Sequence, residues 1–180
     1  MKNAFRTGER VALRPLEVED GDLLRSWLND PEIHQHLALF RPLSGAAERE
    51  WLEGAHKREN DHVFGIALRE TGALIGSCGL HRVVPLPHRS AELGIQIGEA
   101  SCRGRGLGAE AVRLLLAYGF ETLGLHRISL NVYENNPRAI RCYERAGFRR
   151  EGEKREARWW AGRWWNVLEY AILEGERGGS

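Results

Sequence analysis

A glycine-rich turn set between a strand and an amphipathic helix constrains this chain more than any other feature. The stretch Ile95-Gln96-Ile97-Gly98-Glu99-Ala100-Ser101-Cys102-Arg103-Gly104-Arg105-Gly106-Leu107-Gly108 starts with alternating apolar residues and ends in closely spaced glycines. Leu107, Ala111, Leu114, Leu115 and Tyr118 then fall on one helical face. Glycine permits positive φ and lets backbone amides approach a ligand closely. Unpaired amides at a helix start, reinforced by the dipole, suit an anion such as a pyrophosphate. Taken alone, the glycines also fit a turn that binds nothing. A nucleoside-triphosphate loop needs Gly-Lys-Ser/Thr, whereas this turn continues Gly108-Ala109-Glu110. A dinucleotide fingerprint spaces its glycines Gly-x-Gly-x-x-Gly, whereas these alternate at 104, 106 and 108.

Around this turn the hydrophobic period alternates between strand and helix. Strands are expected at 11–16, 62–69, 73–80, 91–97 and 126–133, and a closing hairpin at 148–160 and 163–173 turns at Ala161-Gly162. Helices are expected at 18–28, stopped by Asn29-Asp30-Pro31, and from Ser44 to about 60. A further helix opens at Pro137 and ends at Gly147, while 31–43 reads as the least regular part of this half. Hairpins together with strand–helix–strand units imply an α/β (α+β mixed) fold, with helices packed on a mixed, mostly antiparallel sheet of about seven strands.

The 180 residues suit one domain spanning 1–180, with a core at 9–173 and a polar, frayed tail at 174–180. With 26 basic against 25 acidic residues, a dedicated nucleic-acid binder is disfavoured. The first residues carry no apolar run of the signal-peptide kind, and no stretch is apolar enough to span a membrane. Cys78, Cys102 and Cys142 are too few and too scattered for a disulfide framework, so free thiols and a cytoplasmic location are expected.

Arg103-x-x-Gly106-x-Gly108 after a strand, then Asn136-Pro137-Arg138-Ala139-Ile140 and Tyr143-Glu144-Arg145-Ala146-Gly147-Phe148, resembles the GNAT superfamily of N-acetyltransferases. The resemblance covers about residues 9–173. Leu13-Arg14-Pro15-Leu16, Asn29-Asp30-Pro31-Glu32, His88-Arg89-Ser90-Ala91-Glu92-Leu93 and Gly162-Arg163-Trp164 look like one branch of it. That is the RimJ/RimL type, which acetylates ribosomal-protein N-termini, together with enzymes acting on polyamines such as spermidine.

This resemblance implies a splayed sheet, acetyl-coenzyme A as co-substrate and no metal. The strand from Gly94 through Ile95, Gln96 and Ile97 would pair with the pantetheine arm. The amides of Arg103, Gly104, Arg105, Gly106, Leu107, Gly108 and Ala109 would hold the pyrophosphate, with Arg103 and Arg105 adding charge or lying on the surface. Asn136 and Ala139 match the segment that contacts the cofactor arm, and Asn136 also suits an N-cap. Tyr143 matches the family's general acid, since a phenol can protonate a departing thiolate. Glu92 is the expected base, with an ion pair to Arg89 or His88 and a water relay as the open alternatives.

Several other residues are read conservatively. His34-x-His36 lacks a third ligand at suitable spacing and suits a surface or acceptor-pocket role. Cys142 reads as a packed thiol, not a nucleophile. The doublets Trp159-Trp160 and Trp164-Trp165 place one indole on each face of the hairpin, either walling an acceptor channel or packing across strands. The expected acceptor is a protein or peptide N-terminal amine, with a polyamine or another small amine as the alternative. A non-catalytic coenzyme A-binding domain is the rival of another class. Neither nucleic acid nor membrane is expected as a partner, and the chain is expected to be a monomer or homodimer.

Overall fold

The computed structural model describes residues 3–176, apart from the side chain of His56. Its strands are β1 (Arg6–Thr7), β2 (Val11–Arg14), β3 (His62–Leu68), β4 (Leu74–Val84), β5 (Ser90–Ile97), β6 (Arg127–Tyr133), β7 (Arg149–Trp160) and β8 (Arg163–Leu173). Its helices are α1 (Gly21–Leu28), α2 (Pro31–His34), α3 (Gly45–Glu53), α4 (Leu107–Ala117) and α5 (Pro137–Arg145). The strands form one sheet in the order β1-β2-β3-β4-β5-β6-β8-β7. Every neighbouring pair is antiparallel except β5 and β6.

That one parallel pair is where the sheet opens. β5 and β6 pair only from Ser90↔Arg127 to Glu92↔Ser129. Beyond it β5 runs on to Ile97, while β6 runs on to Tyr133 paired with β8 alone. The main-chain groups of 93–97 therefore have no strand partner on the β6 side.

Local chemistry explains the element ends. Ser44 Oγ accepts from the Ala47 amide to cap α3, Asp30 caps α2 ahead of Pro31, and Asn136 caps α5 ahead of Pro137. Ala161 and Gly162 both take positive φ, as a tight hairpin turn between β7 and β8 requires. The two faces of the sheet are dressed differently. Cys78, Leu80, Leu93, Ile128 and Leu130 pack with Ala111, Val112 and Leu115 of α4 in the main core. A smaller cluster of Leu24, Trp27, Ile33 and Leu52 fastens α1 to α3, with Leu16, Leu37 and Leu74 against it. Leu115 is fully buried, so truncating it to Ala would cost about 2–5 kcal/mol.

Four details depart from the expectations. The eighth strand is Arg6–Thr7, two residues long and too short for any periodic signal. The region 31–43 holds the one-turn helix α2. The helix after Ser44 stops at Glu53, before Gly54. Glu174–Glu176 is not frayed: Glu174 N donates to His126 O and Glu176 pairs with Arg149. The remainder of the expected tail, 177–180, lies outside the described residues.

Candidate active site

A cleft of about 270 Å³ lies between the open end of β5, the start of α4 and α5. Of the residues expected to meet the cofactor, Ile95, Gln96, Ile97, Arg103, Gly104, Gly106, Gly108, Ala109, Asn136, Ala139 and Tyr143 line it. Leu107 is buried in the core instead, and Arg105 points outward while its carbonyl accepts from Arg10. These two can offer the cleft only their amides.

The turn before α4 has the form of an anion cradle. Gly104 and Gly106 sit at φ +74° and +80°, a region that costs any other residue about 1–2 kcal/mol. No side chain caps α4, and the amides of 107–109 have no partner among the described residues. At Gly108 a Cβ would stand 3.5 Å from Ile97 and 3.8 Å from the Cys142 sulfur, so any side chain there would fill the cradle. Arg138, Arg141 and Arg145 of α5 add positive charge to the rim. The residues present fit a pyrophosphate.

Arg103, expected either to add charge or to lie on the surface, lines the cleft with its side chain bonded within the chain. Its Nε donates to Ile97 O at 3.1 Å and its Nη2 to Gly98 O at 2.6 Å. Its Nη1 reaches Glu32 at 2.9 Å, and Asp30 lies 3.6 Å from Nη2. Arg103 thus ties the start of α2 to the end of β5.

Tyr143 is buried on α5 against Phe148, and its hydroxyl makes no hydrogen bond among the described residues. Burial, reinforced by the neighbouring Cys142, pushes the phenol well above its usual range. It stays protonated and available as a donor. Asn136 Oδ1 accepts from the Ala139 amide at 3.1 Å, which fixes the α5 start facing the cleft. Cys142 also lines the cleft, but burial raises its thiol above the ordinary range, against a nucleophilic role.

A second cavity, about 370 Å³, opens on the other side of β5, beneath α1 and α3. Leu37, Ile95 and Gln96 wall both cavities, so the two meet at the open stretch of β5. Gln96 Nε2 donates to Ser77 Oγ at 3.2 Å, while its Oε1 is buried and unpaired. The remaining wall is largely apolar, with Leu24, Leu39 and Trp51, and carries one carboxylate, Glu48. Glu48 is buried, makes no side-chain hydrogen bond among the described residues, and is pushed up by burial against the opposing pull of Arg25.

Glu92 lies on this same sheet face but lines neither cavity, and Arg82 Nη1 donates to it at 2.7 Å. Its cross-strand neighbour His81 does line the second cavity, with Nδ1 3.3 Å from Asp61 Oδ1. Sequence reasoning passes over His81, and counts Glu48 and Asp61 only within a mild acidic excess over residues 29 to 61 that fits either a cationic amine or solvated helix faces. The available signal was the alternation Ser77, Gly79, His81 on β4, where a polar residue follows two small ones on a face that a core would fill.

Near the cleft, His36 has a buried, unbonded Nδ1, and burial with Arg138 and Arg158 holds it below the usual imidazole range. His34 Nδ1 lies 3.0 Å from Leu28 O, at the surface end of the same turn. Arg158, buried on β7, stacks 3.6 Å over the Tyr133 ring. The tryptophans divide as alternation requires. Trp159 and Trp164 stack edge to face in solvent, while Trp160 turns toward His34 and accepts from Trp165 Nε1 through its carbonyl. Among the described residues no group of three or more His, Cys, Asp or Glu is placed to hold a metal ion, and no helix is long and apolar enough to cross a membrane.

Comparison with known proteins agrees with this geometry. Residues 10–149 match the family profile described as the acetyltransferase (GNAT) domain. The uncharacterized N-acetyltransferase p20 of Bacillus licheniformis is 30% identical over 174 residues, covering 95% of this chain and 97% of that protein. The α/β-tubulin-N-acetyltransferase 9 of Homo sapiens is 27% identical over 162 residues, covering 83% and 77%. The spermidine N-acetyltransferase of Vibrio cholerae, solved in complex with CoA and spermine, superposes with a TM-score of 0.85 at 28% identity, covering 94% of this chain and 98% of that one.

Proposed function

The chain belongs to the GNAT acetyltransferases, and from that premise we propose that it acetylates the primary amine of a small, polyamine-like molecule. It is an N-acetyltransferase that uses acetyl-coenzyme A, and the thioester supplies the acetyl group. The observation that carries the acceptor class is Glu48, an unbonded carboxylate in an apolar cavity that joins the cofactor cleft at Ile95 and Gln96. An alkyl stem suits the leucine and tryptophan wall, and a second ammonium suits Glu48. The spermidine acetyltransferase likeness supports the same reading, so the ribosomal-protein N-terminus gives way to a small amine as the leading acceptor. The likeness to a tubulin acetyltransferase keeps a protein amine as the second reading.

The residue roles follow from their placement. The free amides of 107–109 hold the pyrophosphate, and the open edge of β5 from 93 to 97 pairs with the pantetheine arm. An amide on that edge faces the developing oxyanion. Asn136 orients the arm from the start of α5. Tyr143 gives its proton to the departing thiolate, a role suited to a cleft-lining phenol whose hydroxyl has no partner among the described residues. Glu92, held by Arg82 outside both cavities, reaches the amine only through a relay.

The test is steady-state kinetics with product mass, comparing spermidine with peptides bearing a free N-terminus. Spermidine should give monoacetylspermidine with kcat/KM at least about 10-fold above any peptide. The reverse order would establish the protein-amine reading.

A further inference from the structure

We propose that His81 takes the proton from the acceptor amine, with Asp61 as the positioning residue that orients its imidazole. This rests on the amine-acetylation reading above. The imidazole reaches over two sheet positions that have no side chain. A Cβ on Gly79 would stand 3.1 Å from His81 Nε2, and one on Gly94 would stand 3.3 Å from it. Gly94 is two residues past the last β5–β6 pair, so Nε2 sits above the strand where the sheet has just opened. Nδ1 faces Asp61 Oδ1, which also accepts from the Arg82 amide at 3.3 Å and is held at the mouth of β3 by Asp61 N donating to Arg58 O. A hydrogen on Nδ1 shared with this carboxylate leaves Nε2 with a free lone pair. Nε2 has no hydrogen-bond partner among the described residues, and the ring lines the amine-side cavity together with Gln96 and Glu48.

The proton inventory closes around this arrangement. The acceptor ammonium gives one proton to His81 Nε2, its nitrogen then forms the C–N bond as the C–S bond breaks, and the nitrogen's second proton leaves to solvent. Tyr143, on the cofactor side of β5, supplies the proton that leaves with the thiolate. His81 returns its proton to solvent and Tyr143 regains one from it. Acid and base then stand on opposite sides of Ile95 and Gln96, the residues both cavities share.

The experiment uses the full chain, coenzyme A binding as a fold control, and two amines. One is spermidine; the other is an alkylamine bearing an electron-withdrawing group, so that it is unprotonated at neutral pH. His81→Ala and His81→Gln should bind coenzyme A within about 2-fold of wild type and lose about 10²–10⁴-fold in kcat with spermidine. The weakly basic amine should lose at least about 10-fold less, and added imidazole should restore part of the His81→Ala rate. Asp61→Asn should lower kcat by a smaller factor, with the acceptor KM little changed. If wild type acetylates spermidine while both His81 variants keep kcat within about 3-fold, the proposal is wrong. Equal losses for both amines with no imidazole rescue would also reject it, by reducing His81 to packing. A wild-type protein silent toward every amine would remove the acetylation reading on which it rests.

Discussion

Gly98 lies directly against the indole of Trp27, so closely that a Cβ at Gly98 would overlap the ring carbons. Trp27 belongs to α1, which roofs the second cavity, and Gly98 directly follows β5, which leads into the glycine-rich turn before α4. Arg103 reinforces this joint, bonding Ile97 O and Gly98 O and reaching Glu32 of α2. The roof of the second cavity and the glycine-rich turn are therefore built on one another.

Gly98→Ala should push Trp27 out of its seat. The expected cost is about 1–3 kcal/mol, typical of overpacking, or roughly 2–12 °C in Tm for a chain of this size. Because α1 is the element displaced, the acceptor KM should rise more than the coenzyme A dissociation constant. Calorimetry with paired kinetics checks both parts. An unchanged Tm would mean the indole can move aside freely.

Gly106→Val should abolish coenzyme A binding while leaving the fold in place. Gly106 sits at φ +80° immediately before the unpaired amides of α4, and a β-branched residue there is strained, which distorts the turn that presents those amides. Isothermal titration alongside circular dichroism separates lost binding from lost fold. Normal binding would put the pyrophosphate elsewhere.

Tyr143→Phe should lower kcat by roughly 10- to 1,000-fold with little change in coenzyme A affinity, the size expected for a lost general acid. The ring still packs on Phe148, so stability should hold. An unchanged kcat would leave Tyr143 a packing residue only.

Much of the fold was legible in the sequence because its elements announce themselves locally. Ser44 and Asn136 are N-caps and Ala161-Gly162 is the hairpin turn, each readable from its own few residues. The first cleft was legible for the same reason, since the residues expected together there come from two continuous segments. The second cavity was not. His81 meets Asp61 across 20 residues, and Glu48 of α3 lines one cavity with Gln96 of β5 only because distant segments fold together, so no local pattern marks either pairing. For Arg103 the sequence leaves a phosphate contact and a surface position equally open, and its side chain bonds Asp30, Glu32 and two carbonyls.

Glu110 should make stability depend on pH at the acid end. Burial raises its carboxyl, but hydrogen bonds from the Arg10 and Val11 amides and the Arg10 guanidinium outweigh that and hold it below 4.5. A depressed carboxylate contributes fully above its unfolded value and loses that contribution as pH falls through the folded one. Wild type should therefore lose stability below about pH 4.5 more steeply than Glu110→Gln, which removes the titrating group. At neutral pH Glu110→Ala, which leaves the Arg10 and Val11 amides unpaired, should cost about 2–3 kcal/mol. Denaturant melts across the acid range test both statements, and parallel curves for wild type and Glu110→Gln would assign the acid sensitivity to other groups.

The most direct measurement is thiol release from acetyl-coenzyme A by the purified chain, with and without spermidine, with acetylspermidine counted in the same tube. Acetylation of a small amine at the junction of the two cavities predicts amine-dependent release, one thiol per acetylated amine. Coenzyme A that protects the chain against heat while no thiol appears with spermidine or any other small amine would contradict it, and would mark the cleft as a binding site without transfer.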